Sequence, residues 1–357
     1  MVVVMKTSAT QAEIDQVVER VRTAGGEAFV SPGELRTIIG LVGDTTRFME
    51  LPLSQLPGVE NVIRVGRPYK LVARELHPEP SVVKVGSHPI DRRSVTVIAG
   101  PCAVESETQA LEAAHMAKRA GAHLLRGGAY KPRTSPYSFQ GLAKQGLEIL
   151  AACREETGLP VVTEVLEPRD VDLVASLADC LQIGARNMQN FSLLKEVGKA
   201  HVPVILKRGL SATVEEWLMA AEYVAREGNM DIILCERGIR TFETATRNTL
   251  DLAGMAVARE ATHLPVIVDP SHATGVRELV GPMSRAAVAA GADGIMVEIH
   301  PHPEAALSDG PQALTGDDLD RLVDEIAALG ASLGRPVPGY QRETGRTPSM
   351  GWGSPQQ

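Results

Sequence analysis

The chain has 357 residues, of which 44% are hydrophobic and 22% charged, with a formal net charge of −8. This is the composition of a globular protein long enough for a domain of about 250 residues and a smaller one. The acidic balance excludes a general attraction to nucleic acid or to anionic membranes, so any anion site has to be a local cluster of cations.

Residues 1–67 read as a small separate domain. Val2–Met5 is a short strand, and Thr10 can cap a helix from Gln11 to Thr23 with Ile14, Val17, Val18 and Val21 on one face. Gly25-Gly26 stops it. Ala28–Val30 and Thr37–Val42 read as strands around the turn signal Ser31-Pro32-Gly33-Glu34. A second helix fits Thr46 to Gln55, and a last strand Val59–Val65 follows Pro57-Gly58. The order β-α-β-β-α-β is that of a ferredoxin-like α+β unit. On its residues alone the unit reads as a stabilising or dimerising module, because it has no His and no Cys.

Arg67 to Pro80 is polar, carries three prolines and reads as a linker. Ser81–Val85 and His88–Ile90 flank Gly86-Ser87 as a hairpin suited to plugging the bottom of a barrel. From Val95 to Gly334 eight apolar runs alternate with helical patterns: Val95–Ala99, Leu124–Leu125, Val161–Thr163, Leu181–Gly184, Val204–Leu206, Ile232–Leu234, Val266–Val268 and Ile295–Val297. That alternation predicts a (β/α)₈ TIM barrel, whose C-terminal strand ends converge on one face. Among its helices, Ser106 to Ala120 shows Leu111, Ala114, Met116 and Ala117, and Thr213 caps one with Leu218, Ala221 and Val224 on one face. Asp317 to Leu329 is the last. Two long loops, Gly127 to Gln140 and Pro301 to Thr315, belong to the active face. The tail 335–357, rich in Gly, Pro, Ser and Gln, reads as disordered.

The four cysteines, Cys102, Cys153, Cys180 and Cys235, show no paired spacing, which points to a reducing compartment. The start MVVVMK lacks a signal-peptide pattern and no run reaches 18 apolar residues, so a cytoplasmic protein is expected. At or just past the strand ends, or on the loop after the second strand, stand Arg126, Lys131, Arg133, Arg186, Lys207 and Arg237. Six converging cations without compensation are unfavourable, so they predict a polyanionic substrate held by bidentate arginines. Singly, each is as well read as a solvated residue or an ion-pair partner. Cys102, His272 and Glu298 end strands one, seven and eight, neighbours in a closed barrel, and Asp309 lies on the loop after strand eight. One thiolate, one imidazole and two carboxylates suit one divalent ion among Mn²⁺, Fe²⁺, Co²⁺ and Zn²⁺.

The runs Ile98-Ala99-Gly100-Pro101-Cys102, Leu125-Arg126-Gly127-Gly128, Lys131-Pro132-Arg133-Thr134, Gln182-Ile183-Gly184-Ala185-Arg186, Leu206-Lys207-Arg208-Gly209, Cys235-Glu236-Arg237-Gly238 and Asp269-Pro270-Ser271-His272 resemble those of 3-deoxy-D-arabino-heptulosonate 7-phosphate (DAHP) synthases. The resemblance is closest to the type Iβ branch with an N-terminal ferredoxin-like regulatory domain, and covers residues 1 to 334. It implies condensation of phosphoenolpyruvate with erythrose 4-phosphate at the entry of the shikimate pathway. It implies that Arg186, beside Ala185, with Lys207 and Arg237 holds the phosphate of phosphoenolpyruvate, and that Arg126 and Lys131 address its carboxylate and the reacting centre. Arg133 and Thr134 would bind the phosphate of erythrose 4-phosphate, and Glu164 would order a water. Cys102, His272, Glu298 and Asp309 would bind the metal, and Lys131 would donate a proton. A homotetramer inhibited by tyrosine or phenylalanine is the further implication. Three rivals are 3-deoxy-D-manno-octulosonate 8-phosphate synthase, against which the Lys-Pro-Arg-Thr run argues, a Schiff-base aldolase using Lys207, and a non-catalytic metabolite sensor.

Overall fold

The computed structural model describes residues 1–32, 36–63, 68–75, 77–131, 137 and 139–340. The chain divides into two compact units after Pro68. The first contains β1 (Val2–Met5), α1 (Gln11–Thr23), β2 (Glu27–Pro32), β3 (Thr37–Val42), α2 (Thr45–Glu50) and β4 (Val59–Ile63). Its antiparallel sheet has the order β2-β3-β1-β4. Alternation along the strands puts Val3, Met5, Ile39 and Leu41 on one face, packed with Ile14, Val17 and Val21 of α1 and with Phe48. A capping box starts α1: Thr10 accepts from the Glu13 N–H, and the Glu13 carboxylate accepts from the Thr10 N–H at 2.7 Å. Gly26 is required by packing, since a Cβ there would lie 2.1 Å from Cζ of Phe48.

The helix expected over Thr46 to Gln55 is broken. α2 ends at Glu50 and Leu53–Gln55 is a 3₁₀ turn, because Pro52 has no N–H and its ring clashes with a preceding turn. β4 ends at Ile63, before the expected Val65. Residues 64–67 and the expected turn at Gly33-Glu34 lie outside the described residues, while Pro32 is still part of β2.

In the second unit β5 (Val83–Val85) and β6 (His88–Ile90) pair as an antiparallel hairpin. Then follow β7 (Thr96–Gly100), α3 (Glu107–Ala120), β8 (Leu124–Arg126), α4 (Ala143–Thr157), β9 (Val161–Glu164), α5 (Val171–Leu177), β10 (Cys180–Ile183), α6 (Phe191–Lys199), β11 (Val204–Lys207) and α7 (Val214–Arg226). β12 (Ile232–Glu236), α8 (Leu252–Ala261), β13 (Val266–Val268), α9 (Pro270–Thr274), α10 (Arg277–Ala289), β14 (Gly294–Glu298) and α11 (Gly316–Ser332) complete it. Strands β7 to β14 are parallel and β14 pairs with β7, so the sheet closes into the TIM barrel that the alternation predicts. β13 has the expected bounds, and the other seven strands depart from theirs by a residue or two; β10, for example, starts at Cys180 and ends at Ile183.

Two apolar layers explain the closure. Ile98, Leu124, Val162, Ile205, Ile267 and Met296 fill the interior, together with Val83, Val85 and Ile90 of the hairpin. Their neighbours one position away, such as Val97, Leu125, Leu206 and Val297, pack outward with the helices. On α3 the fully buried stripe is Ala110, Ala113, Ala114 and Ala117, whereas Leu111 and Met116 are only partly buried. Alanine lets the helix approach the barrel closely, which a stripe of larger side chains would prevent.

The segment read as a polar linker is docked from Tyr69 onward. Tyr69, Val72 and Ala73 are buried, and the N–H groups of Lys70, Leu71 and Val72 all donate to the Glu222 carboxylate at 3.0–3.1 Å. Its anchor lies on α7, far along the chain, so local composition gave no sign of it. The tail is likewise packed as far as Tyr340: Arg335 pairs with Asp293 at 2.9 Å and Val337 is buried. Residues 341–357 lie outside the described residues. Among the described residues no helix is long and apolar enough to cross a membrane.

Candidate active site

The two-residue strand period that fills the interior also aims the site. Continuing each inward series past its last apolar member, Leu124 leads to Arg126, Val162 to Glu164, Cys180 to Gln182, Ile205 to Lys207, Ile267 to Asp269 and Met296 to Glu298. All these residues stand at the C-terminal ends of their strands, the catalytic face of such barrels. Gly100 ends β7 without a side chain because a Cβ there would lie 1.8 Å from the Arg126 carbonyl oxygen. That close approach brings the turn carrying Cys102 over β8.

At the centre, one donor atom each from Cys102, His272, Glu298 and Asp309 lies within 4.8 Å of every other. Cys102 Sγ is 3.0 Å from Asp309 Oδ2, and His272 Nε2 is 3.1 Å from Glu298 Oε1. His272 comes from α9, whose first turn is capped by Asp269 and opened by Pro270. Asp309 has a left-handed backbone, φ +56, in the loop after β14, a conformation that few non-glycine residues adopt. Arg247 holds it from the loop after β12, Nη2 to Oδ1 at 2.7 Å.

Partners surround this set. Arg126 Nη1 donates to Glu298 Oε1 at 2.6 Å, and the buried carboxamide of Gln312 donates to Glu298 Oε2. Lys131 Nζ lies 2.9 Å from Cys102 Sγ. Burial opposes charge on His272, yet Asp269 and Glu298 outweigh it and raise its pKa to about 10. Burial opposes charge on Glu298 as well, and His272 and Arg126 hold its carboxyl well below the usual range. The cluster is thus built for a positive charge at its centre. The donor set, with one soft sulfur, fits a divalent transition ion, and the Nδ1 bond to Asp269 leaves Nε2 as the ligating nitrogen.

Two of the six cations are compensated by carboxylates, and a third is held by uncharged acceptors. Arg126 pairs with Glu298, Lys207 with Asp269 at 2.5 Å, and Lys131 with the thiol and carbonyl of Cys102. The inference from uncompensated charge therefore does not apply to Arg126 and Lys207. Arg237 Nη1 is buried with no partner among the described residues, as is Arg126 Nε, and burial holds the Arg237 guanidinium below its ordinary pKa although Asp269 opposes this. Such an orphaned donor calls for an anion. Ala185 and Arg186 lie in a 3₁₀ turn after β10 and line a cavity of about 260 Å³ with Met188, Gly209 and Ser211. Glu164 accepts from Gln182 at 3.1 Å. Arg133 and Thr134 lie outside the described residues. The ion pair of Lys207 commits its ammonium to Asp269, unlike the free amine that Schiff-base chemistry needs.

Sequence reasoning assigned no role to Asp269, Arg247, Gln312 or Ser308, whose Oγ is 3.2 Å from Cys102 Sγ. Parity pointed to Asp269, two residues after the inward Ile267. No local signal marks the other three, which come from loops.

Residues 87–331 match the DAHP synthetase I family, and residues 1–67 match the DAHP synthase ferredoxin-like domain. The chain belongs to the DAHP synthetase I family. As such it is an enzyme, a transferase of the 3-deoxy-7-phosphoheptulonate synthase kind. It is 51% identical over 337 residues to the phospho-2-dehydro-3-deoxyheptonate aldolase of Thermotoga maritima, covering 94% of this chain and 100% of the relative. The crystal structure of that DAHP synthase superposes with a TM-score of 0.87 at 50% identity, over 94% of this chain and 98% of that one. A truncated 3-deoxy-D-arabino-heptulosonate 7-phosphate synthase from Thermotoga maritima matches with a TM-score of 0.70 at 50% identity, over 75% of this chain and 98% of its own. The 2-dehydro-3-deoxyphosphooctonate aldolase of Acidithiobacillus ferrooxidans is 37% identical over 253 residues, 64% of this chain and 88% of the relative.

Proposed function

We propose that the chain catalyses the metal-dependent condensation of phosphoenolpyruvate with D-erythrose 4-phosphate and water, giving DAHP and phosphate. This is the entry step of the shikimate pathway toward chorismate and the aromatic amino acids, in the cytoplasm. The observation that carries the reading is the set Cys102, His272, Glu298 and Asp309, within 4.8 Å of one another beside Lys131.

Cys102, His272, Glu298 and Asp309 would hold the divalent ion (Mn²⁺, Fe²⁺, Co²⁺ or Zn²⁺), which when bound supplies Lewis acidity toward the aldehyde oxygen. Arg186, Lys207 and Arg237 bind the phosphate of phosphoenolpyruvate, and Arg126 and Lys131 face its carboxylate and reacting carbon. Arg133 and Thr134 bind the phosphate of erythrose 4-phosphate. Held side by side, the two anions lose the entropic barrier to meeting. The C3 carbon of phosphoenolpyruvate forms the new bond to the aldehyde carbon, and Lys131 donates a proton to the aldehyde oxygen. Water ordered by Glu164 adds at C2, and phosphate leaves with cleavage of the C–O bond. The dense cationic lining stabilises the charge that develops. The N-terminal domain mediates inhibition by tyrosine or phenylalanine, in a homotetramer.

Phosphoenolpyruvate consumption measured with erythrose 4-phosphate and with arabinose 5-phosphate, each with Mn²⁺ and with EDTA, tests this. Turnover with erythrose 4-phosphate, abolished by EDTA and restored by the ion, is expected. Turnover with the pentose alone would move the enzyme to the octulosonate reaction, the second reading favoured by the 37% relative. No turnover with either sugar would favour the sensor.

A further inference from the structure

Asp269 is fully buried at the end of β13. Its Oδ2 accepts from two donors at once, Lys207 Nζ at 2.5 Å and His272 Nδ1 at 2.6 Å. Its Oδ1 accepts the backbone N–H of His272 at 2.9 Å, which caps α9. One carboxylate therefore joins the end of β11 to the helix that carries His272. It also fixes the imidazole tautomer, because Nδ1 donates and Nε2 is left facing Glu298. Lys207 and His272 compete for the same oxygen.

We propose that Asp269 is a positioning residue that couples the anion-binding end of the site to its metal-binding end, so that phosphoenolpyruvate and the divalent ion each tighten the binding of the other. The inference rests on the function proposed above, in which Lys207 meets the phosphate and His272 the ion. When a phosphate oxygen draws the Lys207 ammonium, Oδ2 loses one donor and its charge falls to His272 alone. A more negative acceptor at Nδ1 makes the imidazole a stronger ligand. Conversely, a cation at Nε2 polarises the Nδ1–H bond toward Oδ2 and weakens the claim of that oxygen on Lys207, which is then freer to meet phosphate. Linkage requires the two effects to be equal. Simple attraction between ion and anion would also couple them, but it would not pass through Asp269.

The test titrates Co²⁺ into the ion-free full chain by calorimetry, without and with saturating phosphoenolpyruvate, and then titrates phosphoenolpyruvate without and with Co²⁺. In the wild type each ligand should lower the dissociation constant of the other by the same factor, about fivefold or more. In Asp269→Asn, which keeps the shape and the cap but not the charge, both ligands should still bind and the factor should fall to the smaller value that direct attraction between ion and anion leaves. Circular dichroism establishes that the variant is folded. If it is not, Asp269→Glu, which keeps the charge but displaces it, should give an intermediate factor. A wild-type factor of about 1, or an undiminished factor in the variants, would overturn the coupling while leaving the proposed function intact. Absence of Co²⁺ binding to the wild type would overturn both, and is distinct from tight binding without coupling.

Discussion

The Lys131 ammonium lies 2.9 Å from Cys102 Sγ and 2.8 Å from the Cys102 carbonyl oxygen, nine-tenths buried. A cation so placed stands at the edge of the donor set, where the proposed function puts the aldehyde oxygen. Lys131→Met should lower kcat by about 10²-fold or more, the usual share of a positioned proton donor. Calorimetric Co²⁺ binding should persist. Steady-state assays of phosphoenolpyruvate loss check this, and near-normal turnover would exclude Lys131 as the donor.

Removal of residues 1–67 should leave the barrel active. The folded unit beginning at Tyr69 has its own core, and a truncated form of the Thermotoga maritima synthase matches 75% of the chain. Inhibition by tyrosine or phenylalanine should disappear. The two proteins would be assayed with each amino acid; equal inhibition of both would remove the regulatory role from the N-terminal domain.

At the base of the barrel His88 stacks on His123 at 4.2 Å and bonds Thr96 at 3.0 Å. Burial and the neighbouring His123 lower the His88 pKa to about 4, against the pull of Asp91. Between about pH 6.5 and pH 4 the unfolded chain therefore takes up a proton that the folded chain refuses. The stabilisation is complete above about pH 6.5 and declines as the pH falls toward the folded-state value, its size reduced by solvent screening of the partly exposed ring. His88→Gln keeps a partner for Thr96 but cannot titrate, so its urea midpoint should fall less between pH 7 and pH 4.5 than that of the wild type. Parallel losses in both proteins would contradict the assignment.

Arg208 is buried and donates to Glu236 and Asp251, both at 2.8 Å, and to the Ala212 carbonyl at 3.0 Å. Glu236 has no exposed surface. Arg208→Met strands that carboxylate and should destabilise the barrel by about 3–5 kcal/mol. Arg208→Met combined with Glu236→Gln should recover part of the loss. Chemical denaturation of the wild type, the two single variants and the double variant decides; a double variant as unstable as the sum of the two single changes would mean that the pair does not interact.

Much of the barrel is legible in the chain because a parallel strand covered on both sides must be apolar at consecutive positions, and the eight runs say so. The site is partly legible for the same reason: the period that buries Ile267 and Met296 aims Asp269 and Glu298 at the mouth. Elements that depend on distant anchors were not legible. The segment from Tyr69 looks like a linker until Glu222 accepts its three N–H groups, and the tail to Tyr340 looks unstructured until Asp293 holds Arg335. Pro52 is a local signal in the sequence, and it divides the expected second helix into α2 and a 3₁₀ turn.

By itself the sequence determined which residues face inward and which end they occupy, since side-chain direction along a strand follows from covalent geometry. How their charges pair depends on the closed fold. Arg126 with Glu298 and Lys207 with Asp269 are contacts across strands separated by long stretches of chain, and closure of the barrel is what brings them within hydrogen-bonding distance. Ion pairing falls steeply with distance and burial, neither of which a linear pattern carries. The difference between a paired cation such as Lys207 and a buried donor without a partner among the described residues, such as Arg237 Nη1, therefore appears only once the ring is closed.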